Sequence, residues 1–179
     1  MIGAGGPVLA KPAAKAAKGP PVPAELAPVL ASKRYLAARD ALKADHARMV
    51  EQLVTLTEIP APPFGEEQRG QTFAALMRGS GLPDVITDAV GNVIATRKGT
   101  DPKAAPLVVA AHLDTVFPAG TDVKVKREGT RLSAPGIGDD TRALAVMLAM
   151  VRAMDKAGIR TTRDIVFIGN VGEEGRSEE

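Results

Sequence analysis

With 179 residues, 45% of them hydrophobic and 25% charged, this chain has the composition of one globular domain around a single core. It has no cysteine, which excludes disulfides and thiolate metal sites, and with four Phe, one Tyr and no Trp its core must be Val, Leu, Ile, Ala and Met. No apolar run reaches the roughly 18 residues that a membrane span requires.

The opening MIGAGGPVLAKPAAKAAKGPPVPA is Ala, Pro, Gly and Lys, with too few large apolar groups to offset the entropy of ordering. Residues 1–30 are therefore read as a disordered Ala/Pro/Lys-rich tail, and residues 31–179 as the folded part. The first 24 residues hold Lys11, Lys15 and Lys18 and no acid; without them 20 basic side chains face 21 acidic ones, a net charge of −1. The sequence pI near 9 thus owes much to the tail. A near-neutral body with few stacking aromatics argues against a nucleic-acid partner. Val8-Leu9-Ala10 resembles the end of a signal peptide, but a basic start is lacking and Gly3, Gly5, Gly6 and Pro7 break the apolar part. The compartment stays open: cytoplasmic, or exported if the opening is the remnant of a longer signal.

From Ser32 to about Glu58 the pattern is one helix, with Leu42, Met49 and Leu56 recurring every seven residues and Val50 and Leu53 on the same face. Ser32 is its N-cap and Pro60 ends it. His46 lies on this face and, having no partner motif, reads as a packed histidine rather than a ligand. Pro60 to Gly65 is a rigid turn, and Glu66 to Gly79 a second helix with Phe73, Leu76 and Met77 inward. Val85–Thr87 and Val93–Thr96 form a strand pair about Gly91-Asn92. The run Pro106–Ala111 predicts a buried strand, of the kind found in parallel sheets. Val123–Arg127 and Thr130–Ser133 form a hairpin around Glu128-Gly129. After the loop Ala134–Gly138, Thr141 to Lys156 is an apolar helix with little charge between Arg142 and Arg152, which predicts cover on most sides. Asp164 to Asn170 is another buried strand. The order points to an α/β fold, a mixed, largely parallel sheet flanked by helices.

Three clusters stand at the ends of these elements: His112/Asp114 after one strand, Asp139/Asp140 before the apolar helix, and Glu173/Glu174 after the last strand. An isolated His-x-Asp is more often a buried histidine bonded to its neighbour than a ligand. The carboxyl ends of parallel strands share one sheet edge, however, so the first and third clusters should converge with the second in the connecting loop. Carboxylates gathered around an imidazole repel one another unless a cation sits among them. With His, Asp and Glu donors and no cysteine, that cation is zinc, manganese or cobalt, zinc being favoured.

AHLDTVFP, PGIGDD and VGEEG resemble the successive metal-site motifs of the co-catalytic di-zinc exopeptidase and deacylase family, which includes peptidase T, aminoacylase, acetylornithine deacetylase and succinyl-diaminopimelate desuccinylase. The resemblance covers roughly residues 33 to 175, with PAPPFGEE and DAVGNV similar to upstream family segments. It implies two zinc ions, cobalt or manganese being alternatives, with His112 ligating one, Asp139 bridging both and Glu174 ligating the second. It further implies that Glu173 is the general base, that Asp114 orients His112, and that the Asp139–Asp140 peptide is cis, as tolerated at functional sites. The implied reaction is hydrolysis of a peptide or amide bond, by an aminopeptidase on small peptides or a deacylase of N-acyl amino acids. The implied full-length form is a homodimer.

Two departures matter. Thr141-Arg142-Ala143 stands where the family has a basic residue and glycine. The only histidines are His46 and His112, so a distal histidine ligand, a later acidic ligand and the lid domain are missing from this sequence. Each ion would have two protein ligands, one fewer than is usual at a catalytic zinc. The expectation is an N-terminal portion of such an enzyme, inactive or nearly so by itself; the competing expectation is a degenerate, catalytically dead family member.

Overall fold

The computed structural model describes residues 22–175. In chain order these form a 3-10 turn (Ala24–Leu26), α1 (Ala27–Leu30), α2 (Lys33–Ala44), α3 (His46–Thr57), α4 (Glu67–Gly79), β1 (Val85–Thr87) and β2 (Val93–Arg97). There follow β3 (Leu107–His112), β4 (Lys126–Glu128), β5 (Arg131–Ser133), α5 (Thr141–Lys156) and β6 (Ile165–Asn170). The α/β fold with a mixed sheet is present: four strands run in the order β1-β2-β6-β3, and β4 and β5 make a separate two-stranded ribbon. Parallel pairing is confined to β3 and β6, while β6–β2 and β2–β1 are antiparallel.

The alternation along β6 decides which side is the core. Ile165, Phe167 and Gly169 are buried, and register places Phe167 in one cross-strand row with Ala95, Val85 and Val109. Residues of such a row share a face of the sheet. α4 and α5 cover that face, bringing Phe73, Met77, Leu144, Leu148 and Val151 into one cluster with the strands. At Gly169 the helix comes very close: a Cβ there would lie 2.9 Å from Cδ1 and Cε1 of the Phe73 ring. The opposite face carries another apolar row, Ile86, Ile94, Ile168 and Ala110. Ile86 is 60% exposed, and the uncovered row explains why these strands read as apolar on both sides.

Several expectations need correction. Among the described residues β3 is an edge strand rather than a buried one: it pairs with β6 alone, Leu107 and Val108 are exposed, and only Ala111 and His112 of the strand are buried. An apolar run reports strand propensity, but not whether a neighbour lies on both sides. The long helix from Ser32 is two helices that share Asp45 as a cap, and Leu42 is exposed as a result. Asp45 has φ −84° and ψ 0°, and its carboxylate accepts from Nε of Arg152 at 3.0 Å, so it serves the contact with α5 rather than capping α3. Ser32 does cap α2, accepting from the Tyr35 amide at 3.2 Å. His46 is exposed at the start of α3, not packed. The hairpin after β3 is shorter than expected and turns at Gly129, where φ is 61°. Residues 1–21 of the expected tail, with the Val8-Leu9-Ala10 reading, lie outside the described residues, as do residues 176–179. The described end of that segment, Ala24–Leu30, is helical and has no buried residue. No helix among the described residues is long and apolar enough to cross a membrane.

Replacing Gly169 by Ala drives a methyl group into the buried Phe73 ring, which has no room to retreat. The expected cost is about 1–3 kcal/mol, read as a lower urea midpoint. Gly79→Ala serves as the control: nothing lies within 4 Å of its added Cβ, and a gain of up to ~1 kcal/mol is expected from helix propensity.

Candidate metal centre

β3 and β6 end side by side, His112 paired with Asn170, so the two following loops leave the sheet at one place. The imidazole of His112 is held from both sides. Nδ1 lies 3.1 Å from the carbonyl oxygen of Asp114 and 3.3 Å from its Oδ1; Nε2 lies 3.1 Å from Oδ1 of Asp139. Asp114 has no exposed surface. Its Oδ1 accepts from the Glu173 amide at 3.2 Å and its Oδ2 from the Glu174 amide at 2.7 Å. One carboxylate thus ties the end of β3 to the loop after β6.

The third cluster arrives through the loop before α5. The Thr141 hydroxyl donates to the carbonyl of Gly136 at 2.8 Å, folding PGIGDD back on the helix start. Gly136 has φ 72°, and a Cβ there would collide with Thr115, so the loop needs glycine twice over. The Asp139–Asp140 peptide is cis. The Asp139 side chain is 81% exposed except where it meets His112.

The structure therefore brings together all five residues singled out from the sequence. Ligand atoms of His112, Glu173 and Glu174 lie within 4.8 Å of one another, and Asp139 joins through its bond to His112. Geometry alone makes Glu173 and Glu174 equal in reach. The donors are one imidazole nitrogen and carboxylate oxygens, with Nδ1 engaged by Asp114 and Nε2 facing the cluster. That is the donor set of a borderline divalent cation.

Sequence reading missed Arg69, which is 1% exposed. Its Nε and Nη2 donate to the Ile59 carbonyl at 3.1 and 2.6 Å, and Nη1 donates to that of Leu113 at 2.8 Å. Burial pushes this guanidinium down to about 10, opposed by the charges of Asp114 and Glu66. An arginine three residues into a helix carries no local signal of such a task. Asp140 was noted but given no role. Burial raises its carboxyl above the usual range, with Asp139 adding repulsion and His112 opposing both.

Residues 92–176 match the family model described as Peptidase family M28. An N-carbamoyl-L-amino acid amidohydrolase of Geobacillus stearothermophilus is 28% identical over 138 residues, 72% of this chain and 30% of that protein. In fold the chain is similar to aminopeptidase PepT from Bacillus cereus, with TM-score 0.62 and 24% identity over 72% of this chain and 37% of that one. It is also similar to the di-peptidase Dug1p from Saccharomyces cerevisiae, with TM-score 0.65 and 17% identity over 78% of this chain and 35% of that one. The chain spans about a third of the length of each of these relatives.

His112 titrates above its ordinary value of 6.5: burial pulls it down, but the Asp139 hydrogen bond and the charges of Asp140 and Asp114 outweigh that. A raised folded value means that the stabilisation is fully present below pH 6.5 and is lost as pH rises through the folded value. An NMR titration of the chain should place the His112 midpoint above the ordinary value of 6.5, and Asp139→Asn should bring it down. A His112 midpoint at or below 6.5 would refute this electrostatic picture.

Proposed function

We propose that this chain, which belongs to the di-zinc exopeptidase and amidohydrolase family, carries the general base and part of the ligand set of a metal-dependent hydrolase of peptide or amide bonds. The observation behind it is the meeting of His112, Asp139, Glu173 and Glu174, drawn from the end of β3 and two separate loops, at the end of the parallel strand pair. His112 and Asp139 would hold one ion, Asp139 and Glu174 the other, with zinc the ion best suited to these donors. When bound, such ions supply Lewis acidity and a water of lowered pKa. Glu173, adjacent in sequence to a ligand and exposed, takes a proton on its carboxylate and returns it to the leaving amine. Asp114 holds the His112 ring and both glutamate amides, so the ligands and the base share one frame.

Small peptides cleaved from the amino end are the substrate class we favour, supported by the match to a peptidase family. A second reading is favoured by the amidohydrolase relative: N-carbamoyl or N-acyl amino acids, whose scissile ureido or amide C–N bond likewise releases an amine. Both substrates place the same demand on Glu173.

The test is to titrate the 179-residue chain with zinc by calorimetry and to assay a tripeptide and an N-carbamoyl amino acid at saturating metal. Weak zinc binding is expected, abolished by His112→Ala, with slow hydrolysis of the tripeptide. Glu173→Ala should cut that hydrolysis by about 100-fold or more and leave zinc stoichiometry unchanged. Zinc binding that survives His112→Ala, or turnover indifferent to Glu173→Ala, would overturn the proposal; preference for the N-carbamoyl substrate would select the second reading.

A further inference from the structure

The loop after β6 donates four consecutive amides, and each finds a side-chain acceptor. Val171 donates to Asn92 Oδ1 at 3.0 Å and Gly172 to Glu66 Oε1 at 2.9 Å. Glu173 and Glu174 donate to the two oxygens of Asp114 at 3.2 and 2.7 Å. These acceptors come from three elements: the turn before β2, the residue capping α4 and the end of β3. Asp114 belongs to the His-x-Asp pair; Glu66 and Asn92 do not.

Both outlying acceptors are themselves fixed. Asn92 Nδ2 donates to Asp88 Oδ2 at 2.9 Å. Because that carboxylate can only accept, the amide is oriented with its oxygen toward Val171. Asp88 Oδ1 in turn accepts from the amides of Val90, Gly91 and Asn92. Glu66 is 4% exposed; its Oε1 also accepts from the Phe64 amide at 2.9 Å, and its charge is felt by buried Arg69. Phe64, at φ 61°, lays its ring over the same loop: a Cβ at Gly172 or Gly175 would lie 2.8 or 2.7 Å from it. The loop is therefore held by hydrogen bonds on the side of its amides and blocked by a ring at both flanking glycines.

We propose that Glu66 and Asn92 are positioning residues for Glu173 and Glu174, setting the loop so that the base and the ligand reach the cluster around His112. The functional half of this inference rests on the metal-hydrolase reading; the structural half does not. Partners that hold a ligand in place typically change metal affinity about 10–100-fold when removed, because a donor displaced by a fraction of an ångström no longer closes the coordination sphere.

The experiment uses the 179-residue chain as wild type, Glu66→Ala, Glu66→Gln, Asn92→Ala and the distant control Asp45→Ala. Two quantities are read: amide hydrogen exchange at residues 171–174, and affinity for cobalt(II) alone by visible absorption. Both Ala variants at positions 66 and 92 should speed exchange at these amides and weaken cobalt binding by about 10-fold. Glu66→Gln keeps an acceptor oxygen and should stay within about threefold of wild type. Asp45→Ala, which breaks the contact with Arg152, should lower thermal stability while leaving both readouts unchanged. If Glu66→Ala fails to fold, Asn92→Ala alone decides. Unchanged loop exchange in the Ala variants overturns the proposal, as does faster exchange with cobalt affinity intact. If wild type takes up no cobalt, the metal reading fails instead; faster loop exchange in the variants would then still uphold the positioning role, and unchanged exchange would refute it.

Discussion

A carboxylate with no exposed surface is costly unless other groups replace the water it has lost, and Asp114 is such a carboxylate. Its replacements are the amides of Glu173 and Glu174, the His112 ring and the positive charge of Arg69. Arg69 is just as deeply buried, and it spends its own donors on the carbonyls of Ile59 and Leu113. The pair cannot be satisfied piecemeal. The end of β3, the loop after β6, the first turns of α4 and the segment before α4 must all be in place for either charge to be tolerated. Much of the site's geometry follows from that single requirement, since moving any one of these segments would strand a buried charge.

The same frame decides what occupies the cluster. In the metal-free chain the His112 imidazole, held between Asp114 and Asp139, keeps its proton above the usual pH, and the imidazolium supplies the positive charge that the carboxylates require. A divalent ion would supply more charge at the same place and requires the neutral ring. Proton and metal thus compete for the same ring, and Asp139, whose hydrogen bond raises the proton affinity of His112, is also one of the residues that would hold the metal.

How much of this was legible in the sequence depended on distance along the chain. α5, β6 and the strand pair β1–β2 fell close to their expected bounds because their patterns are local: a 16-residue apolar helix ended by Gly158, alternation in DIVFIGN, and a Gly-Asn turn. The five clustered residues could be picked out because each sits near the end of an element, and Asp139, Glu173 and Glu174 also lie beside glycine. The burial of β3 was misread because its exposure is set by the absence of a neighbour on one side, which no strand sequence encodes. The break at Asp45 was missed because it carries no glycine or proline; the partner of Asp45 there is Arg152, 107 residues away. The tasks of Arg69, Glu66 and Asn92 stayed hidden for a related reason: although Glu66 and Asn92 fall within PAPPFGEE and DAVGNV, the partners of all three lie on other elements.

The place of β6 in the sheet also has a bearing on how the chain assembles as it is synthesised. β6 is the last strand among the described residues, yet it lies between β2 and β3, so neither has this partner until residues 165–170 emerge. Between the end of β3 and the start of β6 lie 52 residues, which at usual elongation rates of about 5–20 residues per second is a wait of roughly 3–10 s. During that interval the apolar edges of β2 and β3 are both open, and His112 and Asp114 have no glutamate loop to meet. Insertion of one central strand then joins β2 to β3, adds Phe167 to the core and brings the glutamate loop to His112. A ribosome-bound chain halted before residue 165 would lack all three.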